Sequence, residues 1–253
     1  MRDGPLRHAA SQVVTPVSAP DTTDVTAERI RDMRVTYVAG ALVERDLAAT
    51  PLEQFGRWFA DAVASERVVE PNAMVLSTAG PKGPSSRTVL CKGVDGAGFR
   101  LFTNLVSRKA RALAADPACA LLFGWHDMER QVGVRGVAEP LSRDEVRDYF
   151  VTRPYGSRIG AWASEQSSVV DGRETLEARE REMRDRFPDT GSVGDVPLPD
   201  SWGGFVVRPV EVEFWQGRPS RLHDRLVFVR PAGAEGPGWL DDATDWVVER
   251  RAP

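Results

Sequence analysis

The chain has 253 residues, 42% of them hydrophobic and 28% charged, the make-up of a globular protein with apolar side chains enough for a sizeable core. Its formal charge of −4 gives no overall basic field for nucleic acid, so small anions must be held by local clusters. No apolar run approaches the roughly 20 residues of a membrane helix, and two cysteines, Cys91 and Cys119, make no disulfide framework.

Residues 1–24 are rich in Ser, Thr, Pro, Ala and Asp and lack an apolar h-region. They read as a disordered tail and not as a secretory signal. With both thiols expected to be buried and free, the reading is cytoplasmic. Residues 25–253 are expected to form a single domain. A first helix is predicted from Val25 to Val38, where Ile30, Met33 and Tyr37 recur at helical spacing. A second starts at Thr50, with Pro51 at its first position, Glu53 completing a capping box, and Leu52, Phe55, Phe59 and Val63 on its apolar face.

From Ala73 the texture changes to strands, predicted at 73–79, 86–92, 98–103, 118–124 and 131–138, with turns at AGPKG and VDGAG. One helix, 107–115, interrupts them. Ser142 and Glu145 form a capping box for a helix through Phe150, which Pro154 ends or redirects. Asp171 and Glu174 begin another helix, lasting to about Phe187. Strands return at 205–215, 221–229 and 245–250. Sequential hairpins with scattered helices predict a mainly β, α+β fold: an antiparallel barrel or sandwich with helices packed outside.

Three clusters can bind anions. Ser107-Arg108-Lys109 opens a helix, where free N–H groups and two cations converge. Arg87 and Lys92 bracket the strand RTVLCK; their separation places them on opposite faces of a regular strand, so on their own they read as its solvated charged ends, sharing a ligand only if the strand bends at Gly93. Arg221, His223 and Arg225 alternate in RLHDR and would share one face of an extended strand, with Leu222 and Asp224 on the other. A bound anion would relieve their repulsion; alternatively Asp224 and Glu213 balance the charge. Tyr149, Arg153 and Ser157 are spaced four apart, as on one helical face. No metal spacing, G-x-G-x-x-G or P-loop appears. Ser167, His223 and Asp224 could be drawn as a hydrolase triad, but no nucleophile elbow supports it.

Through RTVLCKG, LFTNLVSRKA, ERQVGVRG, YFVTRPYGSRIGAWASEQSS, VPLPDSWGGF and EFWQGRPSRLHDR, from about Arg34 to Pro253, the sequence resembles the FMN-dependent pyridoxine/pyridoxamine 5′-phosphate oxidases. The resemblance implies a split β-barrel homodimer with FMN at the subunit interface. It implies oxidation of pyridoxamine or pyridoxine 5′-phosphate to pyridoxal 5′-phosphate, with O₂ as acceptor giving H₂O₂. By the same resemblance FMN is held by Arg87, Thr88, Val89, Leu90, Lys92, Phe102, Thr103, Arg108, Lys109, Gln131, Gln166, Ser167, Trp215 and Arg225. Lys92, Tyr149, Arg153 and Ser157 then take the substrate phosphate. Arg221 and His223 lie over the substrate ring as the catalytic pair, and Arg34 and Tyr37 cover it. Phe102 departs from the tyrosine of many relatives. Two alternatives are a flavin oxidase of another substrate, such as the phenazine-biosynthesis oxidases, and a non-catalytic flavin- or pyridoxal-phosphate-binding protein. The intact RPYGSRIGAWAS stretch opposes the first; the retained phosphate grip and Arg221/His223 oppose the second.

Overall fold

The computed structural model describes Met33, residues 35–81 and residues 83–253. The chain divides into two units, residues 1–36 and 37–253. In the first, the described residues Met33, Val35 and Thr36 belong to no regular element. The helix expected over 25–38 falls mostly outside the described residues, and residues 35–38 are not helical. Arg34 and the tail over 1–24 also lie outside them.

In the second unit nine strands form one antiparallel sheet: β1 Ala73–Thr78, β2 Ser85–Leu90, β3 Gly93–Asp95, β4 Gly98–Asn104, β5 Ala118–Trp125, β6 Arg130–Pro140, β7 Trp202–Gln216, β8 Asp224–Val229 and β9 Val247–Arg250. The hydrogen-bonded order is β2-β1-β5-β6-β7-β4-β3, with β8 added to β7 and β9 to β8. β2 and β3 stand at opposite ends of that path, yet only Cys91 and Lys92 separate them in sequence. Flat, a path of seven strands would hold its ends about 29 Å apart. Three Cα steps reach at most about 11 Å. The sheet must therefore roll up, and the Lys92 N–H donates to the Arg100 carbonyl at 2.9 Å across the seam.

β7 is long because it serves two sets of neighbours. Its first half pairs with β4 (Trp202 to Val207) and its second with β8 (Glu211 to Gln216). It bends between them: the β6–β7 register shifts between Arg135 and Gly136, near Pro209, which has no N–H for a ladder. Gly136 is required there, since a Cβ would sit 2.3 Å from the Arg208 carbonyl oxygen.

Five helices pack around the sheet: α1 Pro51–Ala64, α2 Arg108–Ala115, α3 Arg143–Val151, α4 Tyr155–Ala163 and α5 Arg173–Arg186. In α1 the Thr50 hydroxyl accepts from the Glu53 N–H at 3.2 Å, but the Glu53 carboxylate pairs with Arg57 at 2.6 Å, so the capping box is half formed. The buried face of α1 is Phe55, Trp58 and Ala62; Val63, expected inward, is 61% exposed. Phe55 meets Phe99 and Phe123 at 5.1 and 5.0 Å between ring centroids, and Trp58 meets Phe214 at 5.3 Å. This aromatic group fills the roll of the sheet. A second core of Val146, Phe150, Ile159, Val196 and Trp202 lies beneath α3 and α4.

Ser142 and Glu145 make the full capping box predicted for α3. α5 instead begins at Arg173 after an uncapped Gly172. Neither β3 nor α4 was expected as an element. The predicted strand 221–229 begins only at Asp224, because Pro219–Arg221 form a short 3₁₀ turn in which Ser220 and Arg221 have positive φ, 58° and 62°. Cys91 is buried and Cys119 half-buried, both free, and burial pushes the Cys119 thiol up to about 12.

Candidate functional site

β2, β4, the start of α2 and the α3–α4 corner surround a cavity of about 800 Å³. Five cations line it, Arg87, Lys92, Arg108, Lys109 and Arg153, and not one carboxylate does. Such a surface is complementary to anions of the size of a nucleotide or a phosphorylated ring. The cations fall into two groups.

The first group is Arg87, Arg108 and Lys109. Ser107 caps α2, its hydroxyl accepting from the Ala110 N–H at 3.3 Å. That cap swings the next two residues into the cavity. Lys109 Nζ donates to Gln166 Oε1 at 2.8 Å and to Thr103 Oγ1 at 3.1 Å, and the Thr103 hydroxyl donates to the same Gln166 oxygen. The Arg108 N–H donates to Ser167 Oγ at 3.2 Å. Arg87 is tied to the Leu76 carbonyl, Thr78 and Ser85 at 3.0, 3.0 and 2.6 Å. Burial, and then the charge of Arg87, lowers the Lys109 ammonium from its ordinary range. Burial and Arg108 do the same to Arg87. A bound dianion would reverse both shifts. Thr88, Val89 and Leu90 line the cavity alongside.

Lys92, Tyr149, Arg153 and Ser157 form the second group. The strand rule placed Arg87 and Lys92 on opposite faces. Both line one cavity, because the strand ends at Leu90 and Lys92 belongs to the seam. Nor do Tyr149, Arg153 and Ser157 share a helix face. Tyr149 is on α3, Arg153 follows its end and Ser157 is in the first turn of α4. The corner at Pro154 makes them converge. The Arg153 guanidinium lies over the Trp202 ring at 4.7 Å, and its Nη1 is buried with no hydrogen-bond partner. Burial lowers its pKa and raises that of Tyr149. A guanidinium nitrogen buried without a partner is costly unless an anion completes it.

Phe102 stacks on Tyr149 at 4.0 Å and 15°, and lies parallel to Trp202 at 5.6 Å and 6°. The ring absent a hydroxyl here is a packing element between the two groups. Trp202 and its support of Arg153 escaped the sequence reading, though Trp202 stands in the motif VPLPDSWGGF.

Gln131, Trp215, Arg221, His223 and Arg225 do not line this cavity. Gln131, Trp215 and Arg225 are direct neighbours across β6, β7 and β8. His223 lies 4.6 Å from the Trp215 ring, and Tyr37 meets both rings, at 5.5 and 5.9 Å. Arg221 is not on a strand face with His223 and Arg225, because the 3₁₀ turn carries it away; it is exposed. Arg225 forms a two-pronged pair with Glu213 at 2.9 and 2.8 Å, which raises its pKa. Glu213 thus balances Arg225, while Asp224 pairs with Arg218 at 3.5 Å and Arg250 at 2.9 Å. Arg218, also missed in sequence, ties this loop to the Gly40 carbonyl at 3.0 Å.

Among the described residues no group of three or more His, Cys, Asp or Glu could hold a metal, and no helix is long and apolar enough to cross a membrane.

The family described as pyridoxamine 5′-phosphate oxidase matches residues 60–187, and one described as the pyridoxine 5′-phosphate oxidase C-terminal dimerisation region matches residues 202–253. A pyridoxine/pyridoxamine 5′-phosphate oxidase of Kineococcus radiotolerans is 58% identical, covering 87% of this chain and 97% of its own length. One from Burkholderia multivorans is 54% identical, covering 88% of this chain and 99% of its own. Among solved structures, PhzG of Burkholderia lata, in complex with tetrahydrophenazine-1-carboxylic acid, superposes with a TM-score of 0.72 at 29% identity, covering 84% of this chain and 98% of that one. A pyridoxamine 5′-phosphate oxidase-related, FMN-binding protein of Nostoc punctiforme has a TM-score of 0.58 at 16% identity, covering 79% and 97%, and shares the fold, a split barrel.

Proposed function

Since this chain belongs to the pyridoxamine 5′-phosphate oxidase family, we propose that it oxidises pyridoxamine 5′-phosphate and pyridoxine 5′-phosphate to pyridoxal 5′-phosphate, with FMN as cofactor and O₂ as acceptor. The observation that carries this reading is one carboxylate-free cavity with two separate cationic groups, suited to a flavin phosphate and a substrate phosphate side by side. The residues fit FMN: Arg87, Arg108 and Lys109 converge on a cavity wall without a carboxylate, and burial with neighbouring cations, Arg87 for Lys109 and Arg108 for Arg87, lowers the pKa of Lys109 and Arg87, as expected of a phosphate cradle. Bound FMN would supply a two-electron acceptor that dioxygen re-oxidises, releasing H₂O₂.

In this reading Arg87, Arg108 and Lys109, with Ser167 and Gln166, hold the flavin phosphate, and Thr88–Leu90 and Phe102–Thr103 flank the rest. Lys92, Tyr149, Arg153 and Ser157 clamp the substrate's phosphate and so fix its C4′ carbon. Arg221 and His223 would then position the C4′ substituent, with Tyr37 packed behind His223. These two residues, with Gln131, Trp215 and Arg225, stand apart from the cavity of their own chain. We assign them to the cavity of a second copy, making a homodimer with FMN between the subunits. The C-terminal dimerisation region matched over 202–253 contains four of the five. The amine reaction balances as amine, O₂ and water giving aldehyde, ammonia and H₂O₂; the alcohol reaction needs no water.

The test is direct. Holoenzyme under anaerobic conditions should bleach on adding pyridoxamine 5′-phosphate and regain its yellow colour, with H₂O₂, when air is admitted. Flavin that stays oxidised would overturn the assignment. The likeness to PhzG favours a second reading, oxidation of a reduced phenazine carboxylate. Bleaching by tetrahydrophenazine-1-carboxylic acid and not by the phosphorylated amine would establish it instead.

A further inference from the structure

Among the residues assigned above to the substrate, His223 is the one imidazole, and its surroundings decide whether it can donate or accept a hydrogen bond. The Arg218 backbone N–H donates to His223 Nδ1 at 3.1 Å. A nitrogen that accepts a hydrogen bond carries a lone pair, so the single proton of the neutral imidazole sits on Nε2. A histidine poised as a base has the opposite arrangement: an acceptor, usually a carboxylate, holds Nδ1–H and leaves the Nε2 lone pair free. Here the nearby carboxylate is committed elsewhere. Asp224 accepts from the Leu42 N–H at 3.0 Å and from Arg250 at 2.9 Å, and lies 3.5 Å from Arg218 Nε.

The chain is shaped to make this contact. Ser220 and Arg221 adopt positive φ, 58° and 62°, and fold the loop so that His223 returns onto the backbone of Arg218. The Arg218 side chain anchors the same loop on the Gly40 carbonyl at 3.0 Å. Trp215 and Tyr37 hold the ring from two sides, at 4.6 and 5.5 Å. A ring turned to place Nδ1–H against the Arg218 N–H would set two donors face to face.

We infer that His223 works as a hydrogen-bond donor through Nε2–H, with the Arg218 backbone fixing its tautomer, and that it does not accept the proton released in the oxidation. Its ligand atom is an acceptor on the substrate, the ring phenolate oxygen or the C4′ heteroatom. This role rests on the oxidase reading; the tautomer does not.

Two measurements test it. In holoenzyme labelled with ¹⁵N-histidine, with the signal assigned by its loss in His223→Gln, NMR at mildly alkaline pH should show the His223 proton on Nε2. A proton on Nδ1 overturns the proposal. Second, glutamine can place an N–H near the Nε2 position and asparagine cannot. Anaerobic flavin reduction by pyridoxamine 5′-phosphate should stay within about tenfold of wild type in His223→Gln and fall about a hundredfold in His223→Asn. Equal losses in both, with FMN still bound, overturn the donor role. If the wild type is not reduced at all, the oxidase reading fails, and with it the donor role, while the NMR result still decides the tautomer.

Discussion

Arg153 has a ring beneath it, burial around it and an orphaned Nη1, whereas Lys109 already has two oxygen partners inside the chain. Their substitutions should therefore differ in kind. Arg153→Ala should leave FMN content near wild type and lower kcat/KM for pyridoxamine 5′-phosphate about ten- to a hundredfold, since a charge-assisted contact is worth roughly 1.5–3 kcal/mol. Lys109→Ala should first weaken FMN, read by titrating apoprotein with the flavin. The reverse pattern would exchange the two grips. Gly98 offers a purely structural contrast. It has φ 144°, and a Cβ there would lie 2.1 Å from the Val207 carbonyl oxygen across the β4–β7 ladder. Gly98→Ala should lower stability by about 2 kcal/mol or more in denaturant unfolding. Arg108 and Lys109 were legible in sequence because they are adjacent and follow a capping serine. The Arg153–Trp202 pair was not, because the contact joins residues far apart in the chain.

Elements announced by local chemistry were the ones the sequence revealed. α3 carries a complete capping box, and α1 starts on Thr50-Pro51. α4 gave no such sign: it follows Pro154 and contains Gly156 and Gly160, which lower helix propensity. R-x-H-x-R has the alternation of a strand, but the turn after Pro219 overrides it. The segment over 39–46 was equally silent. It is pinned at Ala39 to Glu129 (2.8 Å), at Gly40 to Arg218 (3.0 Å), at Leu42 to Asp224 (3.0 Å) and at Glu44 to Arg250 (2.6 Å). The Arg250 hydrogen bond draws the Glu44 carboxyl down from 4.5 to about 2. A depressed carboxyl pKa adds stability above its ordinary value and loses it as pH falls through the lowered one. The wild type should thus melt slightly above Glu44→Gln at neutral pH, the gap narrowing from pH 4.5 and vanishing near the lowered value of about 2. The pair is exposed, so the gap is small. A gap unchanged by acid would remove Glu44 as its source.

For the molecule as a whole, the separation of the cavity from the His223 cluster makes a prediction that no single-chain enzyme would share. Arg153→Ala and His223→Ala damage different surfaces. If each site takes its cavity from one copy and its cluster from the other, a heterodimer of the two variants contains one site with both lesions and one with neither. Random re-mixing of the two impaired homodimers should then raise kcat/KM to about a quarter of the wild-type value or slightly above, more than either homodimer retains alone. No recovery, or active holoenzyme at the 27.8 kDa of one chain in light scattering, would contradict the shared site. The sequence displayed nearly all the strands from which the barrel is built, but not its closure, which depends on the two-residue link after β2 and on the pairing of β4 with β7. That pairing also sets an order of events during biosynthesis. β4 finds its second neighbour only in Trp202–Val207. A ribosome that has completed α5 has already made Arg87, Arg108, Lys109 and Arg153, but nothing yet covers the free edge of β4 or sets Trp202 beneath Arg153. On the proposed reading, flavin capture must then follow synthesis of the first half of β7. Chains arrested before Trp202 should emerge colourless, with an open strand edge exposed to aggregation.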